Sequence, residues 1–94
     1  MDLSVNYNKA TSKQEAYDLA KAQITPDYVD KFNVKADISY DESGHSMKAT
    51  GKGFTLELQF KEDKCDVSIK LSLILKPLKK KILGKIESKL ERNI

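Results

Sequence analysis

The chain has 94 residues, which suits one domain, and a chain of this size buries roughly two-thirds of its unfolded surface, so a small core is expected. At 39% hydrophobic and 33% charged it reads as globular rather than disordered. Of its 17 cations and 14 anions, seven cations and two anions fall between Lys76 and Ile94, so the overall +3 originates in the last fifth of the chain.

The start, MDLSVNYNK, has an acid at position 2 and lacks the apolar core of a signal peptide. The longest uninterrupted run of Leu and Ile is Leu73-Ile74-Leu75, far short of the ~20 apolar residues that span a bilayer. Cys65 is the only cysteine, so no internal disulfide forms, which fits a reducing compartment. A soluble, cytoplasmic protein is expected.

Leu3, Val5 and Tyr7 alternate with Ser4, Asn6 and Asn8, the period of a short half-buried strand. Ser12-Lys-Gln-Glu15 then has the form of a capping box, with Glu15 reaching back to the cap amide. Ala16, Tyr17, Leu19, Ala20 and Ile24 form one helical stripe. Thr25-Pro26-Asp27 signals a second start, with Thr25 as cap and Pro26 at the first helical position, where its missing N–H had no partner anyway. The pattern predicts a kink and a short helix ending near Lys31.

Four strands are predicted next, each with one apolar and one polar face, as in an antiparallel sheet covered on one side. The first carries Phe32, Val34, Ala36, Ile38 and Tyr40, and Asp41-Glu42-Ser43-Gly44 turns it into His45, Met47 and Ala49. Gly51-Lys52-Gly53 breaks to Phe54, Leu56, Leu58 and Phe60, and Glu62-Asp63-Lys64 turns to Cys65, Val67, Ile69, Leu71 and Leu73. Pro77 ends this last strand and opens a helix in which Leu78, Ile82, Ile86, Leu90 and Ile94 recur every four residues, with Leu83 beside them. Gly84 inside it costs about 1 kcal/mol relative to Ala, a cost that close approach to the sheet would explain.

One apolar sheet face and two striped helical regions bury each other as two layers. The expected fold is therefore α+β, β-α-β-β-β-β-α, with a five-stranded antiparallel sheet in the order 2-3-4-5-1 and both helical regions on one face, a miniature helix-grip layout. A ferredoxin-like fold needs a helix between the third and fourth strands, and the sequence has none there.

Gly51-x-Gly53-Phe54, the alternating strand after it, and Val67 to Leu75 flowing into Lys76-Pro77-Leu78-Lys79 with Ile82 and Ile86 together resemble one family, the bacterial polyhydroxyalkanoic acid system proteins. The resemblance runs over nearly the whole chain and is strongest from Gly51 to Leu90, with LILKPLKKKI its most specific stretch. It implies a setting near polyhydroxyalkanoate synthesis and use, with the granule surface as a partner. It implies no catalytic residues.

The residues themselves suggest no enzyme. His45 is the only histidine and sits in a predicted hairpin, where a surface role is the default. Cys65 alternates with core positions and reads as a small buried hydrophobe. One His and one Cys without ligand spacing make no metal site, and no cofactor is expected. Asp41-Glu42 and Glu62-Asp63 read as solvated turn acids. Gly51-x-Gly53 precedes a strand and marks a tight turn or bulge rather than a phosphate loop. Neither a concave site nor a carboxylate or amide partner is expected at His45 or Cys65.

What remains is the basic helix. Lys79, Lys80, Lys81, Lys85, Lys89 and Arg92 form a candidate surface for an acidic partner, with Leu78, Ile82, Ile86 and Leu90 structural. The expected function is that of a non-enzymatic accessory protein associating with a granule surface or an acidic protein. The rivals are nucleic acid, disfavoured by the lack of a reader motif and by a single arginine, and an apolar ligand held between sheet and helix, disfavoured by the bulk of the core side chains. The plain alternative is a solvated face that only keeps the protein soluble.

Overall fold

In the computed structural model, residues 2–31 and 36–94 are described. The elements are β1 (Leu3–Asn6), α1 (Lys13–Gln23), α2 (Pro26–Asp30), β2 (Ala36–Asp41), β3 (Ser46–Gly51), β4 (Phe54–Phe60), β5 (Lys64–Leu71) and α3 (Lys79–Asn93), with a single 3-10 turn over Lys76–Leu78 leading into α3. Phe32 and Val34, expected to begin β2, lie outside the described residues.

The sheet has the order β1-β5-β4-β3-β2, and each of its pairings is antiparallel. This is the order expected from the alternation and turn lengths. Three hairpins join β2 to β5 in sequence, and β1 runs antiparallel to β5 at the edge, with Leu3 opposite Val67 and Val5 opposite Cys65. One face of the sheet carries Met47, Ala49, Phe54, Leu56, Leu58, Phe60, Cys65, Val67 and Ile69, all buried. Against it pack Ala16, Tyr17, Ala20 and Ile24 of the first helical region, Val29 of α2, and Ile82, Ile86, Leu90 and Ile94 of the last. These side chains form one continuous core.

Local chemistry sets the helix ends. The Ser12 hydroxyl accepts the Glu15 amide at 3.1 Å, as a capping box requires. The Glu15 carboxylate, however, accepts the amide of Thr11 rather than that of the cap residue, at 3.0 Å. Thr25 Oγ1 accepts the Tyr28 amide at 3.2 Å, with Pro26 in the first turn. At the far end of the chain, the amides of Asn8, Lys9 and Ala10 converge on the Ile94 carbonyl oxygen at 2.8–2.9 Å, fixing the end of α3 against the β1–α1 loop.

Three expectations are corrected. Leu19 is 38% exposed, because it lies on the edge of the stripe led by Ala16, Tyr17 and Ala20. The last strand stops at Leu71 rather than running through Leu73 to Pro77. Its neighbour β4 begins at Phe54, paired with Leu71, so no strand is left to pair with anything further along. The Ser72 amide instead binds the Gly53 carbonyl at 2.8 Å, and the Ser72 carbonyl accepts the amides of Leu75 and Lys76, closing a turn. Gly53 is suited to this junction: its φ is +73°, and a Cβ there would lie 2.8 Å from Ser72 Oγ. The third correction concerns Gly84, which is exposed, with nothing within 4 Å of the position a Cβ would take. It makes no close approach to the sheet.

Candidate functional site

The outer surface of α3 does not stand alone. Tyr28 of α2 donates its hydroxyl to the Lys85 carbonyl at 3.1 Å, tying the short helix to the middle of the long one. Lys89 Nζ lies 5.0 Å from the centre of the same ring, a cation–π contact. Burial raises the Tyr28 phenol above its ordinary pKa, and the nearby Arg92 pulls the other way. Between α2 and α3 runs an open groove of about 470 Å³. Tyr28, Gly84 and Ser88 line it together with six cations: Lys31, Lys80, Lys81, Lys85, Lys89 and Arg92. Among the described residues, no carboxylate lines it.

Five of the six sequence-expected cations are thus brought together. Lys79 is not. It faces the opposite side of α3, three residues before buried Ile82, and its ammonium pairs with Asp2 at 3.0 Å. The Asp2 carboxylate also accepts the Ile69 amide at 2.8 Å, and these two contacts, the amide first, hold its pKa below the ordinary value. Two groove residues were missed in the sequence. Tyr28 carries no charge to mark it, and Lys31 gives no signal beyond ending a short helix.

The groove is unfavourable for the fold that carries it. Lys79, Lys80 and Lys81 occupy the first turn of α3, the positive end of the helix dipole, and that turn has no acid. Lys81, Lys85 and Lys89 follow at four-residue spacing, where like charges repel. Gly84 adds the cost of a flexible residue inside a helix.

The residues considered for chemistry lie elsewhere. Cys65 is buried on the inward face as expected, and burial pushes its thiol up to about 12. His45 is at the β2–β3 hairpin, in the left-handed region with φ +51°. Against expectation it has an amide partner: Nε2 lies 2.7 Å from Gln14 Oε1, and Gln14 in turn donates to Asp18 at 3.0 Å. Its ring meets Tyr17 edge-on, with centroids 5.9 Å apart. Lys21 pairs with Glu42 in the same hairpin. These contacts clamp the hairpin onto α1. Among the described residues, no group of three or more His, Cys, Asp or Glu side chains could hold a metal, and no helix is long and apolar enough to cross a membrane.

Fold and groove together describe a small two-layer α+β protein with one strongly basic helical face. Residues 7–94 match the family model described as putative polyhydroxyalkanoic acid system protein, and the chain belongs to that family. No curated protein and no solved structure matches the chain.

Proposed function

We propose that this chain is a non-enzymatic, cytoplasmic accessory protein of the polyhydroxyalkanoate system that adheres, through the α2–α3 groove, to the acidic surface of a storage granule. One observation carries this reading: six cations converge on one groove without a carboxylate among the described lining residues, at a cost to helix stability. The family supplies the setting. An acidic ligand offsets the mutual repulsion of the lysines, so binding and folding reinforce each other.

The space between sheet and helices is filled by Tyr17, Phe54 and Phe60, all fully buried, which argues against an apolar-ligand carrier. Nucleic acid is the second reading, because a cationic groove also suits a phosphate backbone. The two separate in one pair of experiments. Co-sedimentation with isolated granules at low salt is expected to bring the protein into the pellet. Retention on duplex or single-stranded DNA columns is expected to be weak. Protein wholly in the granule supernatant, with tight and steeply salt-dependent DNA retention, would reverse the assignment.

A further inference from the structure

The turn between β5 and α3 holds two adjacent aliphatic side chains almost wholly in water: Leu73 is 81% and Ile74 87% exposed. Single exposed aliphatics are ordinary, but a neighbouring pair at the tip of a turn is not. The turn does not need them there. Its hydrogen bonds are made by the Ser72 backbone and by the Leu75 and Lys76 amides, and it is Leu75 that packs against the core. The same bonds hold the pair pointing away from the protein, so little further ordering is required on binding.

Lysines lie on the backbone that adjoins the tip. Lys70 and Lys76 line a hollow of about 480 Å³ with Ile69, Leu71 and Lys79. Lys52 precedes Gly53, whose carbonyl is bonded to Ser72. Lys79 is neutralised by Asp2, whereas Lys52, Lys70 and Lys76 have no ion pair among the described residues. An apolar tip with unpaired lysines on the adjoining backbone is complementary to an apolar layer beneath anionic headgroups.

We propose that Leu73 and Ile74 insert into the acyl region of an anionic lipid layer while Lys52, Lys70 and Lys76 meet its headgroups. This rests on the surface-adhesion reading above and makes that surface a lipid-coated one. The groove and the tip are separate contacts, so each can fail without the other.

The chain contains no tryptophan, so Ile74→Trp is a clean reporter. The variant is mixed with vesicles of phosphatidylglycerol and phosphatidylcholine, and with phosphatidylcholine alone. Emission is expected to shift to shorter wavelength, and to be quenched by acyl-brominated lipid, only with the anionic vesicles. Leu73→Ser with Ile74→Ser should reduce flotation of the otherwise native protein with those vesicles at least about tenfold. Flotation without a spectral shift overturns insertion and leaves the groove as the contact. A shift that survives Lys81→Glu, Lys85→Glu and Arg92→Glu supports insertion that does not depend on the groove, whose own adhesion is read by granule pelleting. The absence of both flotation and shift overturns the lipid assignment, and self-association lost with the serine pair would give the tip to a second copy instead.

Discussion

Replacing Gly84 with alanine should make this protein more stable. Gly84 is the sixth residue of the 15-residue α3, on its exposed side, and the space a methyl group would enter is open to at least 4 Å. None of the usual reasons for a helical glycine applies, so the substitution gains the helix-propensity difference, about 0.8–1 kcal/mol. For a chain of this length that corresponds to a rise in Tm of roughly 4–8 °C. Circular dichroism melts of the two proteins, with urea titrations to check that the m-value is unchanged, measure it. A lower Tm would mean that the backbone at Gly84 is not helical or that its outer face is packed, and the groove geometry would then be wrong.

The helix should also show its two faces in mutation. Ile86 is fully buried, so Ile86→Ala should cost about 2–5 kcal/mol, whereas Lys80→Ala on the outer face should stay within about 0.5 kcal/mol, both by urea denaturation. Cys65 predicts an alkaline effect. Its thiol titrates near 9.0 when unfolded and is pushed up to about 12 in the core, so the unfolded state loses its proton first. Its contribution to stability is complete below pH 9 and lost as pH rises toward 12, and Cys65→Ala should flatten that part of the stability–pH curve, with a residual slope from Tyr17 and Tyr40, whose phenols are also raised by desolvation. Alkylation of Cys65 by iodoacetamide at neutral pH should be negligible until denaturant is added, and rapid labelling of the native protein would contradict the burial.

Most of the architecture was legible because period-two alternation and short turns leave a sheet little freedom. Four consecutive strands with one apolar face, a first strand separated by a helix, and a last helix with an apolar residue every fourth position admit few arrangements. Caps and starts were legible for the same local reason, as at Ser12 and Thr25. The misreadings were of another kind. Leu73 continues the alternation of β5, but a strand needs a partner, and where β4 begins is a tertiary fact. Gly84 invited a packing explanation because sequence shows the type of residue and not the side of the helix from which its neighbours come. Lys79 was grouped with its neighbours by proximity in sequence, yet one residue is about 100° around a helix, enough to carry it across to Asp2. Tyr28 and Lys31 joined the groove only because the fold brings the end of α2 beside α3, where Tyr28 bonds the Lys85 carbonyl, and no local pattern encodes that.

The groove is tested most directly by pelleting isolated polyhydroxyalkanoate granules with the wild-type chain and with the Lys81→Glu, Lys85→Glu, Arg92→Glu variant, over a series of salt concentrations. All three residues are exposed on the outer face of α3; reversing Lys81 and Lys85 relieves repulsion while Arg92→Glu gives up a cation at the C-terminal end of the helix, so the variant should melt close to wild type. The wild-type protein should pellet with the granules at low salt and be released as screening shortens the reach of its charges, and the variant should remain in the supernatant throughout. Equal pelleting of the two proteins, or pelleting of the wild type that salt does not change, would contradict adhesion through the α2–α3 groove.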